Sequence, residues 1–208
     1  MESEAFMQNA RFPKGDDGRA ILERMRESHT PVTTWTLELM DPKPDETILD
    51  IGCGGGRALR RLSEIVTEGS LYGVDYAETA VESSKEENAE AVAAGKMTIL
   101  QGSVSDLPFA DDTFDKIFSI ESYYFWPDLV NDLKEIRRVL KPGGRVYIAA
   151  DTHGREGLSE ETQYYIRILD MTNLSFSEFE QVLKEAGYRN VTVHGLEGTD
   201  CICGEGTK

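Results

Sequence analysis

Short apolar runs alternate along the chain with longer segments in which apolar residues recur at helical spacing. The runs are rich in β-branched and aromatic residues and end near Gly, Asp or Ser, as buried strands do. They cover residues 47–52, 70–76, 96–102, 114–122 and 145–151. Because these runs alternate with helical patterns of roughly 10–15 residues, the sequence predicts a parallel sheet with helices on both faces.

Two further apolar runs, 190–195 and 199–205, follow each other without a helix between them. Only a short loop containing glycine separates them, so we expect them to pair antiparallel at one edge. The predicted fold is therefore α/β and doubly wound, with a mostly parallel sheet and an antiparallel final strand. No internal repeat, low-complexity tract or linker interrupts the pattern, so we expect residues 1–208 to form a single domain.

The segment ILDIGCGGGRAL, residues 48–59, places four glycines between the first strand and the helix after it. In open α/β sheets, ligands bind at the carboxyl ends of the strands. Glycine has no Cβ and tolerates positive φ, so a ligand can pack directly on the main chain. A turn without a ligand would need one glycine, whereas Gly52, Gly54, Gly55 and Gly56 together indicate a binding loop.

Two ligand classes compete for this loop. The dinucleotide fingerprint G-x-G-x-x-G, counted from Gly52, requires a third glycine where this chain has Arg57, which disfavours an NAD-dependent oxidoreductase. S-adenosylmethionine instead offers a ribose whose two hydroxyls a single carboxylate can accept. Asp75 ends the second predicted strand, 19 residues after Gly56, and is placed for that role.

Four segments then occur in order across residues 47–150: ILDIGCGGG, LYGVDYA, GSVSDLPFADDTFDKIFS and EIRRVLKPGGRVYIA. Together they resemble class I S-adenosylmethionine-dependent methyltransferases, in particular the small-molecule branch that includes the ubiquinone and menaquinone C-methyltransferases. The resemblance implies a Rossmann-like, seven-stranded sheet in residues 46–208. It also implies a helical lid in residues 1–45, where we place Phe12, His29 and Trp35.

The resemblance further implies which residues meet the cofactor, S-adenosyl-L-methionine, or its product S-adenosyl-L-homocysteine. The expected cofactor-binding residues are Asp50, Gly52, Cys53, Gly54, Asp75, Tyr76, Ser103, Val104 and Ser119. Asp50 and the loop residues 52–54 would line the methionine end of the cofactor, and Ser119 would approach the same end. Asp75 would hold the ribose, while Tyr76, Ser103 and the Val104 amide would lie beside the adenine.

The segment ESYYFWPD, residues 121–128, follows the fourth predicted strand, where the transferable methyl should lie. Its aromatic residues suggest a wall for an apolar or planar acceptor, with tyrosine hydroxyls able to orient a nucleophile. We take Glu121, Tyr124 and His29 as the candidate catalytic residues, and His153 as a further candidate base. The sequence shows no coherent metal cluster, so we expect no metal cofactor.

Composition narrows the choice of partner. The net charge is -16 and the pI about 4.6, which disfavours nucleic acid and anionic membranes as partners. No apolar run approaches the roughly 18 residues of a membrane span, and the polar start is no signal peptide, so we expect a cytoplasmic protein. The three cysteines form an odd set that argues against disulfides, and we expect Cys201 and Cys203 to be packing residues.

The expected partner is thus a small-molecule methyl acceptor, with the chain acting as a monomer or homodimer. One alternative of a different class stays open. A non-catalytic protein that binds S-adenosylmethionine or S-adenosylhomocysteine, as a sensor or regulatory subunit, would share the loop and Asp75 but need no catalytic base.

Overall fold

The computed structural model describes residues 4–208 and contains one seven-stranded sheet in the order β3-β2-β1-β4-β5-β7-β6. The strands are β1 Thr47–Ile51, β2 Ser70–Asp75, β3 Met97–Gln101, β4 Phe114–Ile120, β5 Leu140–Ala150, β6 Arg189–Gly195 and β7 Ile202–Thr207. Strands β1 to β5 pair in parallel, whereas β7 is antiparallel to both β5 and β6. The predicted fold class is confirmed, including the antiparallel pairing of the last two strands.

Three helices precede the sheet in the described chain: α1 Glu4–Met7, α2 Gly15–Ser28 and α3 Thr30–Met40. The later helices are α4 Arg57–Leu62, α5 Glu78–Glu87, α6 Ala89–Ala93, α7 Leu129–Val139, α8 Glu160–Leu169 and α9 Phe176–Glu185. Short 3-10 turns lie at Gln8–Ala10 and Tyr123–Phe125.

The core lies in two layers because successive strand residues point to opposite faces of the sheet. Ile117 and Ile148 join one buried cluster with residues of α7 and α9, whereas their neighbours Phe118 and Tyr147 join another with residues of α3 and α4. Helices therefore cover both faces, as the alternation of strands and helices predicts. Cys201 and Cys203 are buried and free within the second cluster, which confirms the expectation that they are packing residues.

One predicted helix is interrupted. The sequence predicts a continuous helix over residues 79–95, but α5 ends at Glu87 and α6 starts at Ala89. The break lies at Asn88, whose buried side-chain amide donates to the Gly56 carbonyl at 3.0 Å and to the Ser84 carbonyl at 2.9 Å. A polar side chain that bonds backbone groups competes with the regular helix, and here it ties the helix to the glycine loop.

Three other boundaries also differ from the prediction. The helix after the glycine loop, predicted over 56–67, ends at Leu62, and the following turns bury Val66. The segment KPGG, residues 141–144, has the composition of a turn but lies within the bounds of β5, where it forms a bulge opposite Phe114 and Lys116 of β4. The last strand runs over Ile202–Thr207 rather than 199–205.

The N-terminal helices hold different positions. Helix α3 packs Val32, Leu37 and Met40 into the sheet core, whereas α2 lies beside α5. Ion pairs join these two helices, Arg19 with Glu86 at 2.8 Å and Arg26 with Glu87 at 3.1 Å. That residues 1–45 act as a lid stays a prediction, and its first three residues lie outside the described part.

Among residues 4–208, no helix is long and apolar enough to cross a membrane.

Candidate functional site

The glycine loop between β1 and α4 is shaped by steric contacts as well as by φ. Gly52, Gly54 and Gly56 have left-handed φ of 74°, 50° and 78°. A Cβ on Gly52 would lie 2.6 Å from the Ser122 hydroxyl, and one on Gly56 would lie 2.4 Å from the Ser84 hydroxyl. Packing alone therefore requires two of the four glycines, so the expectation that a turn would need only one was wrong.

The other two glycines, Gly54 and Gly55, have room for a Cβ. A Cβ on Gly54 would meet only Leu22, at 3.7 Å, and one on Gly55 would meet only Arg26, with its nearest atom at 3.6 Å. Both contacts come from α2, and Gly55 has no positive φ. Gly55 thus has neither a conformational nor a steric reason in the described chain to be glycine, which is consistent with a ligand that packs on its main chain.

Asp75, the last residue of β2, holds this loop in place. One carboxylate oxygen accepts the Gly54 N–H at 2.9 Å, and the other accepts the Ala77 N–H at 2.9 Å. Burial raises the pKa of Asp75, while these amides act against the shift. A carboxylate has about four acceptor positions, so Asp75 keeps acceptor capacity for a ligand hydroxyl beside its bonds to these amides.

A cavity of about 100 Å³ opens beside the loop. It is lined by Leu22, Met25, Arg26, His29, Thr33, Asp50, Gly52, Cys53, Gly54, Gly55, Gly56, Arg57, Ala58, Ile120 and Glu121. The structure therefore brings four predicted cofactor-binding residues together with two predicted catalytic ones, His29 and Glu121. Asp50 is buried there, and burial followed by the charge of Asp75 raises its pKa well above the usual range.

Helix α2 and the start of α3 supply a wall that the sequence analysis missed apart from His29. Leu22, Met25, Arg26 and His29 recur at the spacing of one helix face, which is the sequence signal that would have found them. His29 lies between α2 and α3. Burial, aided by the charge of Arg24, lowers its pKa to about 4, so its imidazole is neutral near pH 7.

Glu121, the residue after β4, lies at the centre of a polar cluster that also contains Tyr124, Asp151 and His29. It is buried and has a left-handed φ of 58°. One of its carboxylate oxygens accepts a hydrogen bond from the Tyr124 hydroxyl, with 2.9 Å between the two oxygens. Its second carboxylate oxygen accepts the N–H of Asp151. Burial, with a smaller contribution from the charge of Asp151, raises the pKa of Glu121 to about 8.

The structure also brings together a group that no sequence motif announces. One donor atom each from His29, Glu121 and Asp151 lies within 4.8 Å of the other two. These residues come from the α2–α3 junction and from the ends of the neighbouring strands β4 and β5. The fold thus joins three possible ligands that lie far apart in sequence, where the sequence shows no cluster, and the expectation of no metal cofactor stays a prediction.

The aromatic segment is mostly core. Tyr123 is 1% exposed and packs on Phe179, with ring centroids 5.0 Å apart, and Tyr124 is also buried. Tyr123 is therefore a core residue and not part of a pocket wall, whereas the role predicted for Tyr124 at the acceptor site stays a prediction. Their side chains fill the space between the sheet and α9, and only the Tyr124 hydroxyl reaches the polar cluster.

The remaining predicted residues lie outside the cavity lining. Tyr76 is 68% exposed and its ring contacts that of Phe12, with centroids 5.3 Å apart. Val104 is buried, and the Ser103 hydroxyl accepts the Ser105 N–H at 3.2 Å. Ser119 is buried with its hydroxyl 2.6 Å from that of Ser122.

The candidate base His153 is also separate from the cluster. Its Nδ1 lies 2.7 Å from the Asp200 carbonyl oxygen and its ring packs edge-on against Phe176.

Comparison with known proteins supplies the family. The family described as "Methyltransferase domain" matches residues 49–148. The Bacillus subtilis (strain 168) protein YrhH is 25% identical over 95% of this chain and 97% of its own length. A demethylmenaquinone methyltransferase of Bacillus cereus (strain ATCC 10987 / NRS 248) is 36% identical, over 53% of this chain and 47% of that protein.

The fold comparison agrees. A crystal structure of a SAM dependent methyltransferase from Aquifex aeolicus superposes with a TM-score of 0.74, covering 93% of this chain and 99% of that chain at 22% identity. Residues 49–148 of this chain are therefore a methyltransferase domain, and the chain has the fold of an S-adenosylmethionine-dependent methyltransferase. The glycine loop, Asp75, Glu121 and Tyr124 belong to the matched region, whereas His29 and Asp151 of this methyltransferase lie outside it.

The two kinds of glycine in the loop can be separated by substitution. We expect Gly56→Ala to lower the free energy of unfolding by about 2–4 kcal/mol, because it adds left-handed strain to a clash with Ser84. The matched change Gly55→Ala should alter it by less than about 1 kcal/mol. Urea unfolding of both variants measures the difference, and equal losses would contradict this account of the loop.

Proposed function

We propose that this methyltransferase transfers the methyl group of S-adenosylmethionine to a small-molecule acceptor by in-line displacement at the sulfonium carbon. The observation that carries the proposal is that the glycine loop, Glu121 and His29 line the same cavity. The cofactor supplies the reactive methyl group, so the protein has to supply position and electrostatics. Holding both reactants in line accounts for roughly 7–11 kcal/mol of barrier lowering in well-oriented systems.

In this proposal the cofactor lies along the carboxyl edge of β1 and β2. Asp50, Gly52, Cys53 and Gly54 contact its methionine portion, and Ser119 supports that end from β4. Asp75 accepts the ribose hydroxyls through the lone pairs that its bonds to Gly54 and Ala77 leave unused.

At the other end, the adenine lies beside Tyr76, Ser103 and the Val104 amide. The exposed rings of Tyr76 and Phe12 offer it an aromatic surface. A base can stack on such rings because both partners present flat, polarisable faces.

We propose that Glu121, Tyr124 and His29 act on the acceptor. The Tyr124 hydroxyl and the Asp151 amide hold the Glu121 carboxylate in one orientation, and Glu121 and His29 both line the cavity. A buried polar group of this kind can orient the nucleophile of a small molecule. The net charge of -16 supports such an acceptor over a polyanionic nucleic acid.

The size of the cavity supports a mobile α2. Ligand pockets commonly enclose about 300–1,000 Å³, whereas this cavity measures about 100 Å³ with Leu22 and Arg26 over the loop. We therefore propose that α2 and the residues around it form the lid predicted for residues 1–45, and that α2 moves outward when the cofactor binds.

Incubation of the purified protein with methyl-labelled S-adenosylmethionine and a small-molecule extract tests the function. We expect label in a small molecule and a cofactor preference over NAD by calorimetry. Binding without transfer to any acceptor would favour the alternative, a non-catalytic protein that binds S-adenosylmethionine or S-adenosylhomocysteine. Binding of NAD and not of S-adenosylmethionine would overturn the proposal.

The ribose contact is tested at Asp75. A hydrogen bond to a charged group contributes about 1.5–3 kcal/mol, so Asp75→Ala should weaken S-adenosylmethionine binding by roughly 10- to 150-fold. Because Asp75 also bonds Gly54 and Ala77, thermal unfolding is measured alongside calorimetry. The exposed carboxylate change Glu64→Ala serves as the control. An unchanged dissociation constant in a folded Asp75→Ala variant would remove the ribose assignment.

The acceptor residues are tested by changes that keep packing intact. We expect Glu121→Gln or Tyr124→Phe to lower turnover by about tenfold, with cofactor affinity within about twofold of wild type, because each removes part of the polar cluster but touches no proposed cofactor contact. The matched control is Tyr123→Phe, whose hydroxyl is buried in the core without a hydrogen-bond partner in the described chain. Full turnover in both test variants would place the acceptor site elsewhere.

A further inference from the structure

We propose that His29, Glu121 and Asp151 form a binding site for a divalent transition-metal ion at the carboxyl edge of the sheet. The three side chains bring one imidazole nitrogen and two carboxylate oxygens to within 4.8 Å of one another. Donor atoms that bind one ion at about 2.0–2.2 Å lie at most about 4.4 Å apart. Small rotations of these side chains are therefore enough to place all three on one ion.

The charges of the cluster favour a cation. In residues 4–208, neither Glu121 nor Asp151 forms an ion pair with a lysine or arginine, and the nearby Arg155 is committed to Asp200 at 2.7 Å. The His29 ring likewise has no hydrogen-bond partner among the described residues, so a ring nitrogen is free to bind. A divalent ion would compensate two neighbouring carboxylates and use that nitrogen at the same time.

The surroundings of Glu121 resemble those of a metal ligand. Carboxylates that bind metals are usually held by hydrogen bonds from outer-shell groups, and here the Tyr124 hydroxyl and the Asp151 amide provide one each. The left-handed φ of Glu121 strains the backbone, because its Cβ approaches the following carbonyl oxygen. Strain of this type persists where the surrounding structure fixes a side chain for a function.

The donor set indicates the class of ion. Imidazole suits zinc, iron, nickel and copper, whereas sites for magnesium and calcium are built from oxygen alone. Three protein ligands leave at least one coordination position open, as in catalytic sites and unlike closed structural sites. His29 and Glu121 line the cavity, so the open coordination position faces the space proposed for the acceptor. An acceptor that binds through oxygen or sulfur would occupy that position, and this part of the inference rests on the proposed function.

The binding test uses Co²⁺ as a spectroscopic probe and Zn²⁺ as competitor. The full-length protein is treated with a chelator, dialysed and titrated with Co²⁺ while visible absorption is recorded. We expect saturation at one equivalent, displacement by Zn²⁺, and no intense sulfur-to-cobalt band, which would instead indicate Cys53, Cys201 or Cys203. Mg²⁺ in excess should not displace Co²⁺.

Substitutions then locate the ion. Asp151→Asn is the first choice because this residue is exposed and its change is least harmful to folding. Asp151→Asn, Glu121→Gln and His29→Asn should each weaken Co²⁺ binding by more than about tenfold, and Tyr124→Phe by about tenfold through the outer shell. His153→Asn, at the same end of the sheet but outside the cluster, should bind as wild type does.

The proposal is overturned if no Co²⁺ or Zn²⁺ binds below millimolar concentration, or if folded Asp151→Asn and Glu121→Gln proteins bind as tightly as wild type. Either result leaves the methyltransferase function intact, because label transfer in the presence of chelator is measured on the same preparation. Metal binding without any methyl transfer would instead separate the metal site from the proposed function.

Discussion

The site depends on two hydrogen bonds that converge on one half-buried carboxylate, that of Asp75. Asp75 accepts amide protons from Gly54 in the glycine loop and from Ala77 at the start of α5. It thereby joins the chain that leaves β1 to the chain that leaves β2. A carboxylate that loses contact with water needs hydrogen-bond donors, and burial raises the pKa of Asp75 although backbone amides act against the shift. The loop that lines the cavity is held at this position by Asp75 on one side and by Asn88 on the other.

The parts of the structure that the sequence predicts well are those coded locally. Strand positions follow from short apolar runs, and the glycine loop and Asp75 follow from residues adjacent to strand ends. The Asn88 break was missed because its cause is a bond to Gly56, 32 residues earlier. Helical periodicity alone cannot show that a polar residue has a distant backbone partner.

The polar cluster was predicted only in part for the same reason. Glu121 and His29 were identified as chemistry-bearing residues, but Asp151 was not, although it directly follows β5 at the same edge as Glu121. Parallel pairing of β4 and β5 is what brings the two carboxylates together. Tyr123 shows the opposite error, because an aromatic residue in a loop after a strand can equally well fill a core.

Helix α2, which forms one wall of the cavity, is joined to α5 by ion pairs and a small apolar cluster and not through the main core. Its ion pairs with α5 are partly exposed, and exposed pairs contribute only about 0–1 kcal/mol each. Leu22 forms a small separate apolar cluster with Ala77 and Ala80 rather than joining the main core. This helix therefore packs outside the main core, whereas α3 buries Val32, Leu37 and Met40 against the sheet.

The position of β7 between β5 and β6 has a consequence for how the protein is made. Strand β6 has no neighbour of its own in the sheet until β7 enters between it and β5. On the ribosome, a nascent chain that has emerged only as far as Gly195 leaves β5 with an open edge and β6 without a pairing partner. Open edges are sites of unwanted intermolecular pairing. Until residues 202–207 emerge, the nascent sheet therefore exposes the β5 edge that β7 covers in the finished fold.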